Sequence, residues 1–306
     1  MTELQVRRVQ FDFDDPVPFS WHPSHPEFAL LTNAISLMII GFEKVIVDTV
    51  RAAMPRIDDV AVATEADSFL RQEAQHARAH RLHCRALSRD YPGLRDVVDG
   101  VQAEFEEHFD SKPLGYRLAY IADLEATFTP IFKQWLDHAD ELFRPGDERV
   151  ASLFLWHFTE EIEHRSSALI VYDAVVGRPW YRLVQLPSVL RHLGKVMRFT
   201  TDGINANVPL EVRKVDARNL LPGRQIRRQV AQRLPFLAGD LDLTYPGIDA
   251  FIPRREVRRA NLRLLGSQTP HHDPNHQPLP VFAGEWTERF DRGDDVSHWY
   301  SSQAAD

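Results

Sequence analysis

The chain has 306 residues, 43% of them hydrophobic, with 36 basic and 44 acidic side chains and a formal charge of -8. That length supports one large core or a core with a smaller appendage, and the acidic balance argues against a general nucleic-acid binder. The single cysteine, Cys84, excludes an intrachain disulfide and fits a cytoplasmic setting.

Residues 1–27 are rich in Pro, Asp and aromatics and are expected to form an extended arm. The first residues are acidic with no apolar run, so no signal peptide is expected. A helix is expected over 28–54, stopping near Pro55. Its apolar run from Ala29 to Val50 is interrupted by Asn33, Ser36, Glu43, Lys44 and Asp48. That pattern reads as a buried helix, not a transmembrane segment. Asp58 and Asp59 make an N-cap for a second helix reaching about Ser88. Tyr91-Pro92-Gly93 is a turn, and 94–110 reads as a short connecting helix.

Pro113 lies near the start of a third long helix that ends near Ala139. Its Thr129-Pro130 step predicts a kink. After the Arg144-Pro145-Gly146-Asp147 break, a fourth helix is expected from about Glu148 to Val176, capped by Gly177. A fifth, over roughly 180–200, alternates Arg182, Arg191, Lys195 and Arg198 with Leu and Val. It reads as a helix packed on the others, or as a membrane-surface or partner-docking face. Residues 208–235 read as partly helical and 235–306 as an irregular wrap or terminal arm. The expected fold class is all-α, a bundle of four long helices with extra helices and a long, partly irregular C-terminal extension. The domains are an arm (1–27), a helical metal-binding domain (28–204) and the extension (205–306).

One pattern carries chemistry. Glu43, Glu73-x-x-His76, Glu125 and Glu161-x-x-His164 fall on the four expected long helices. This is the ligand pattern of a dinuclear metal site inside a helical bundle. Residues three apart share a helix face, so Glu73 with His76 is expected to serve one ion and Glu161 with His164 the other. Glu43 follows the run Leu37-Met38-Ile39-Ile40, where an unpaired charge is rare. His157, four residues before Glu161, is expected as a third nitrogen on the Glu161/His164 ion. His80 is expected behind the ligands, with a further metal-ligand role as its alternative, and Asp123 and Glu160 are candidates to orient histidines. The bland alternative is a set of buried ion pairs. Carboxylate and imidazole donors suit iron, manganese or zinc better than calcium, and iron is the leading expectation.

Other features read as ordinary structure first. Tyr120, five residues before Glu125, has no fixed direction, and Tyr172, eight after His164, could reach the ligand face as a structural hydrogen-bonding group first and a redox partner second. Glu163 is expected as a solvated or salt-bridged side chain and Cys84 as packing. The His271-His272-Asp273-Pro274-Asn275-His276 segment reads as a polar loop, with a surface metal site as the sharper alternative. Arg254, Arg255, Arg258 and Arg259 read as a solvated helix face.

The string Trp156-His157-x-x-Glu160-Glu161-x-Glu163-His164, with the Phe19-Ser20-Trp21 arm and the Tyr245-Pro246-Gly247 segment, resembles the predicted metal-dependent hydrolases, a bacterial group with a ferritin-like helical core. The resemblance implies that the four-helix bundle is ferritin-like. More narrowly, the ligand pattern is similar to that of di-iron arylamine N-oxygenases of the p-aminobenzoate type. That likeness implies a metal-ligand role for His157.

The leading expectation is a di-iron oxidase or oxygenase acting with dioxygen on an apolar or aromatic small molecule. Phe42, Phe69, Phe128, Phe132, Phe154 and Phe158 are candidates to line its channel, though most of them read first as plain core. No flavin or nicotinamide motif is evident, so an external electron donor is expected. One alternative is a metal-dependent hydrolase using a bridging hydroxide. Another is a structural metal-binding protein without turnover. A homodimer is compatible with long bundle helices.

Overall fold

The computed structural model describes residues 4–300, apart from 235, 237, 240, 242 and 271. Residues 1–3 of the arm, His271 of the histidine-rich segment and 301–306 of the extension therefore lie outside the described residues. Among the described residues there are twelve α-helices and no β-strand. They are α1 Pro26–Ala53, α2 Val60–Asp90, α3 Leu94–Asp110, α4 Leu114–Asp137, α5 Ala139–Leu142, α6 Glu148–Glu163, α7 Ser167–Val175, α8 Pro179–Asn207, α9 Leu210–Arg213, α10 Pro222–Arg233, α11 Arg254–Ser267 and α12 Val281–Arg292.

Local chemistry sets most of these boundaries. The Asp59 carboxylate accepts from the Ala61 and Val62 N–H groups at the start of α2. Asp147 does the same for Arg149 and Val150 at the start of α6. Each cap satisfies amides that the first helical turn leaves without partners. Pro55 sits in a short 3-10 turn after α1. Gly177, at φ +58°, turns the chain out of α7 in a conformation that side chains with a Cβ disfavour.

The interior is built around α1 and α4. Helix α1 packs on α2, α3, α4 and α8, while α4 packs on α6, α7, α8 and α11. By length and composition α1 could cross a membrane, but 72% of its most apolar window is buried inside the fold. The arm is strapped to the bundle through its aromatic residues. Phe11 lies 5.2 Å from the Trp156 ring and Phe13 5.3 Å from the His83 ring. Trp21 donates to the Thr32 hydroxyl and Asn33 to the Phe19 carbonyl, at 2.8 and 2.7 Å. The Trp21 ring also lies where a Cβ on Gly146 would stand, so only glycine fits there.

Three features depart from the sequence expectations. The helix expected over 148–176 is broken after Glu163: His164 caps α6 at φ -93° and ψ 15°, and α7 begins at Ser167. The expected fifth helix is longer, running to Asn207, and buries one side of itself (Val189, Val196, Ile204) while Trp180, Val184 and Leu190 stay exposed. The stretch 235–306, expected to be an irregular wrap, holds two helices of twelve or more residues, α11 and α12. Its Pro and Gly content pointed to irregular structure because those residues cluster in the connections, leaving the segments between them free to coil.

Candidate metal centre

Seven side chains from four helices meet in the interior. Helix α1 supplies Glu43, α2 supplies Glu73 and His76, α4 supplies Glu125, and α6 supplies His157 and Glu161 with His164 at its C-cap. All seven are buried. Their donor atoms form two groups able to hold a metal ion: Glu43, His76 and His157, and Glu73, Glu125, Glu161 and His164.

The grouping differs from the one that sequence spacing suggests. Each Glu-x-x-His pair was expected to serve one ion, and His157 was expected beside Glu161 and His164. Instead His76 parts from Glu73 and joins Glu43 and His157. Residues three or four apart do share a face, but they also stand about 4.5–6 Å apart along the axis. That rise is enough to send neighbours on one face to different ions. The two groups are nevertheless continuous. Glu161 Oε1 lies 3.5 Å from His76 Nδ1, 3.0 Å from His157 Nε2 and 3.5 Å from His164 Nε2. One carboxylate oxygen thus faces all three imidazoles.

Each of those imidazoles turns one nitrogen inward and engages the other outward. His76 Nε2 lies 3.0 Å from Glu160 Oε2. His157 Nδ1 lies 2.7 Å from His80 Nε2, and His80 Nδ1 lies 2.8 Å from the Ser36 hydroxyl. His164 Nδ1 lies 3.0 Å from Gln72 Oε1. The last contact fixes a tautomer. The Gln72 amide nitrogen donates to the Gln5 carbonyl and to Glu163, both at 3.1 Å. Its oxygen therefore faces His164 and accepts from Nδ1–H. With Nδ1 donating outward, Nε2 is the nitrogen turned inward, 3.2 Å from Glu73 Oε1. A carboxylate oxygen and an imidazole nitrogen at that separation need a proton or a cation between them.

The carboxylates raise the same question more strongly. Both oxygens of Glu43 and Glu73, together with His76 Nδ1 and His164 Nε2, find no hydrogen-bond partner among protein groups. An isolated buried carboxylate costs on the order of tens of kcal/mol, whereas burying an apolar side chain contributes only about 1.5–3 kcal/mol. The apolar packing of α1 cannot offset several such charges. Left to protein groups alone, burial and then mutual repulsion push the Glu43, Glu73 and Glu125 carboxyls well above the ordinary range. Burial pushes Glu161 the same way, but His164 and His157 outweigh it and hold that carboxyl well below. Burial also lowers the pKa of His76 to about 3 and of His157 to about 4. Neutral imidazoles and a converging carboxylate set are what a divalent cation needs.

The residues expected behind the ligands divide. Glu160 contacts His76 and His80 contacts His157, as described. Asp123 does not orient a histidine. Its carboxylate pairs with buried Arg182 of α8, which packs on α4, at 3.2 Å. Glu163 is held by Arg7 at 2.7 and 2.9 Å. Tyr120 bonds His192 at 2.8 Å and Tyr172 donates to the Arg178 carbonyl at 2.7 Å, so neither tyrosine hydroxyl bonds a group of the centre. Cys84 is buried and donates to the Ser36 carbonyl. Of the phenylalanines, Phe69 lies 4.9 Å from the His164 ring and Phe132 6.2 Å from the His157 ring. Phe42, Phe154 and Phe158 are buried and Phe128 partly so. Arg254, Arg255, Arg258 and Arg259 are exposed on α11, as expected of a solvated face.

Three contributors escaped the sequence reading. Gln72 and Ser36 carried a weak signal, lying one turn before His76 and two turns before Glu43. Arg7 carried none, since an arm residue has no helical register to place it.

A family model described as predicted metal-dependent hydrolase matches residues 5–237. Searches of curated proteins and of solved structures returned no match. The matched residues contain all seven converging side chains, and the chain belongs to the predicted metal-dependent hydrolase family.

Proposed function

We propose that the seven side chains hold two divalent cations in one buried centre and that the protein is a metal-dependent enzyme. The observation that carries this reading is the set of inward-facing donor atoms without protein partners, joined through Glu161 Oε1. Glu43, His76 and His157 would hold one ion and Glu73, Glu125 and His164 the other, with Glu161 shared. Bound there, such ions supply Lewis-acid activation or, if iron, electrons for dioxygen.

Family membership supports hydrolysis as the reaction. A second reading, oxidation by dioxygen at a di-iron centre, draws on a different observation. The centre is buried, its donor set includes three imidazoles, and Trp156, Phe69 and Phe132 stand against its histidines. An aromatic wall excludes water and suits an apolar substrate. The chain's own groups do the same work in either case: Glu160, His80 and Gln72 fix the imidazoles, and the aromatic wall shields them.

One experiment separates these readings. The protein is stripped with chelator, reloaded anaerobically with ferrous iron, manganese or zinc, and the bound ions are counted. Each form is then assayed for oxygen uptake on exposure to air and for cleavage of a panel of esters, amides and phosphoesters. Oxygen uptake by the iron form alone supports oxidation, and cleavage by the zinc or manganese form supports hydrolysis. Retention of no metal by any form would end the proposal.

A further inference from the structure

We propose that the C-terminal helix α12 is a working part of the metal centre, through Arg7. The inference rests on the metal reading above. Helix α12 lies beyond the residues that the family model matches, so family membership does not assign it a role. Arg7 comes from the other end of the chain and is 3% exposed. Its guanidinium lies 5.6 Å from the Trp286 ring centroid and 5.8 Å from that of Phe290, both on α12. Those two rings stack on each other at 5.5 Å, and Trp286 is wholly buried.

On its other side Arg7 reaches two carboxylates. It forms a two-pronged pair with Glu163 at 2.7 and 2.9 Å and contacts Glu160 at 3.5 Å. Glu160 orients His76. Glu163 accepts from the Gln72 amide nitrogen, and that contact turns the Gln72 oxygen toward His164. One guanidinium therefore steadies imidazoles of both donor groups by two separate routes. A planar fork suits this task because it can satisfy two carboxylates in a fixed geometry, which a lysine cannot. The aromatic pair on α12 holds the fork by cation–π attraction on a desolvated face. Arg7, Trp286 and Phe290 are positioning residues and touch no ion themselves.

The test measures metal affinity by chelator competition on the full chain, with thermal melting in excess chelator as the control for folding. Wild-type protein must first bind metal, and if it does not, the underlying reading fails and not this one. Removing groups that orient metal ligands typically weakens binding about 10- to 100-fold. Trp286→Ala and Arg7→Met are each expected to weaken binding about tenfold, and the double variant no more than either single one. Trp286→Phe, which keeps an aromatic face, is expected to retain most of the affinity, whereas Arg7→Lys is not. Wild-type affinity in Trp286→Ala would overturn the proposal. So would additive losses in the double variant, because they would show that α12 acts by some route other than Arg7. Should Trp286→Ala fail to fold, Phe290→Ala at the rim of the same stack carries the same expectation.

Discussion

Two histidine clusters in this molecule have opposite logic. In one, His108 and His192 stack at 3.8 Å between α3 and α8. His108 bonds the Tyr116 hydroxyl at 3.0 Å and His192 bonds the Tyr120 hydroxyl at 2.8 Å, and Glu104 is the carboxylate closest to them, 3.6 Å from His192. Hydroxyls that both donate and accept can satisfy an imidazole of either tautomer. In the other cluster the inward nitrogens of His76, His157 and His164 face four carboxylates, and the hydrogen bonds that secure these rings lie largely on their outward sides. A buried histidine alone says little. What marks a metal centre is donor atoms turned toward one another with the supporting contacts placed behind them.

The sharpest way to break this contrast is at Glu161. Its Oε1 faces all three imidazoles, so Glu161→Ala is expected to abolish retention of both ions, as read by elemental analysis after dialysis. Retention of a full complement would show that the shared carboxylate is not a ligand. His157→Ala and His164→Ala strike opposite groups, and each is expected to leave about one ion per chain. If either variant keeps both ions, the division of donors is wrong. His80→Ala leaves every proposed ligand in place but removes the partner of His157 Nδ1. Its effect should be a loss of about 10- to 100-fold in metal affinity without a change in saturating stoichiometry. The smallest effect on metal is expected in the comparison cluster. His192→Phe should leave metal content and affinity unchanged while lowering stability by about 1–3 kcal/mol through the unpaired Tyr120 hydroxyl, measured by denaturant unfolding. A change in metal content there would erase the distinction between the two clusters.

Much of the helical framework was legible along the chain. The limits of α2 and α3 follow from an aspartate cap and a Pro-Gly turn, which act within a few residues. The break at His164 was not legible, because its neighbours Arg165, Ser166 and Ser167 include neither proline nor glycine. The pairing of Asp123 with Arg182 was equally hidden. Asp123 lies two residues before Glu125, but two residues on a helix is a rotation of about 200°, so it faces α8 instead of the centre.

The sequence by itself determined which side chains could be ligands. Glutamates and histidines recurring at three- and four-residue spacing on apolar helices must share faces, and faces with buried charge must find a counter-charge. Only the tertiary structure decided which of them share an ion. That choice depends on the axial stagger between α1, α2, α4 and α6 and on the reach of Arg7 from a non-helical arm. Spacing along one helix fixes direction, whereas the distance between donors on different helices is set by packing alone.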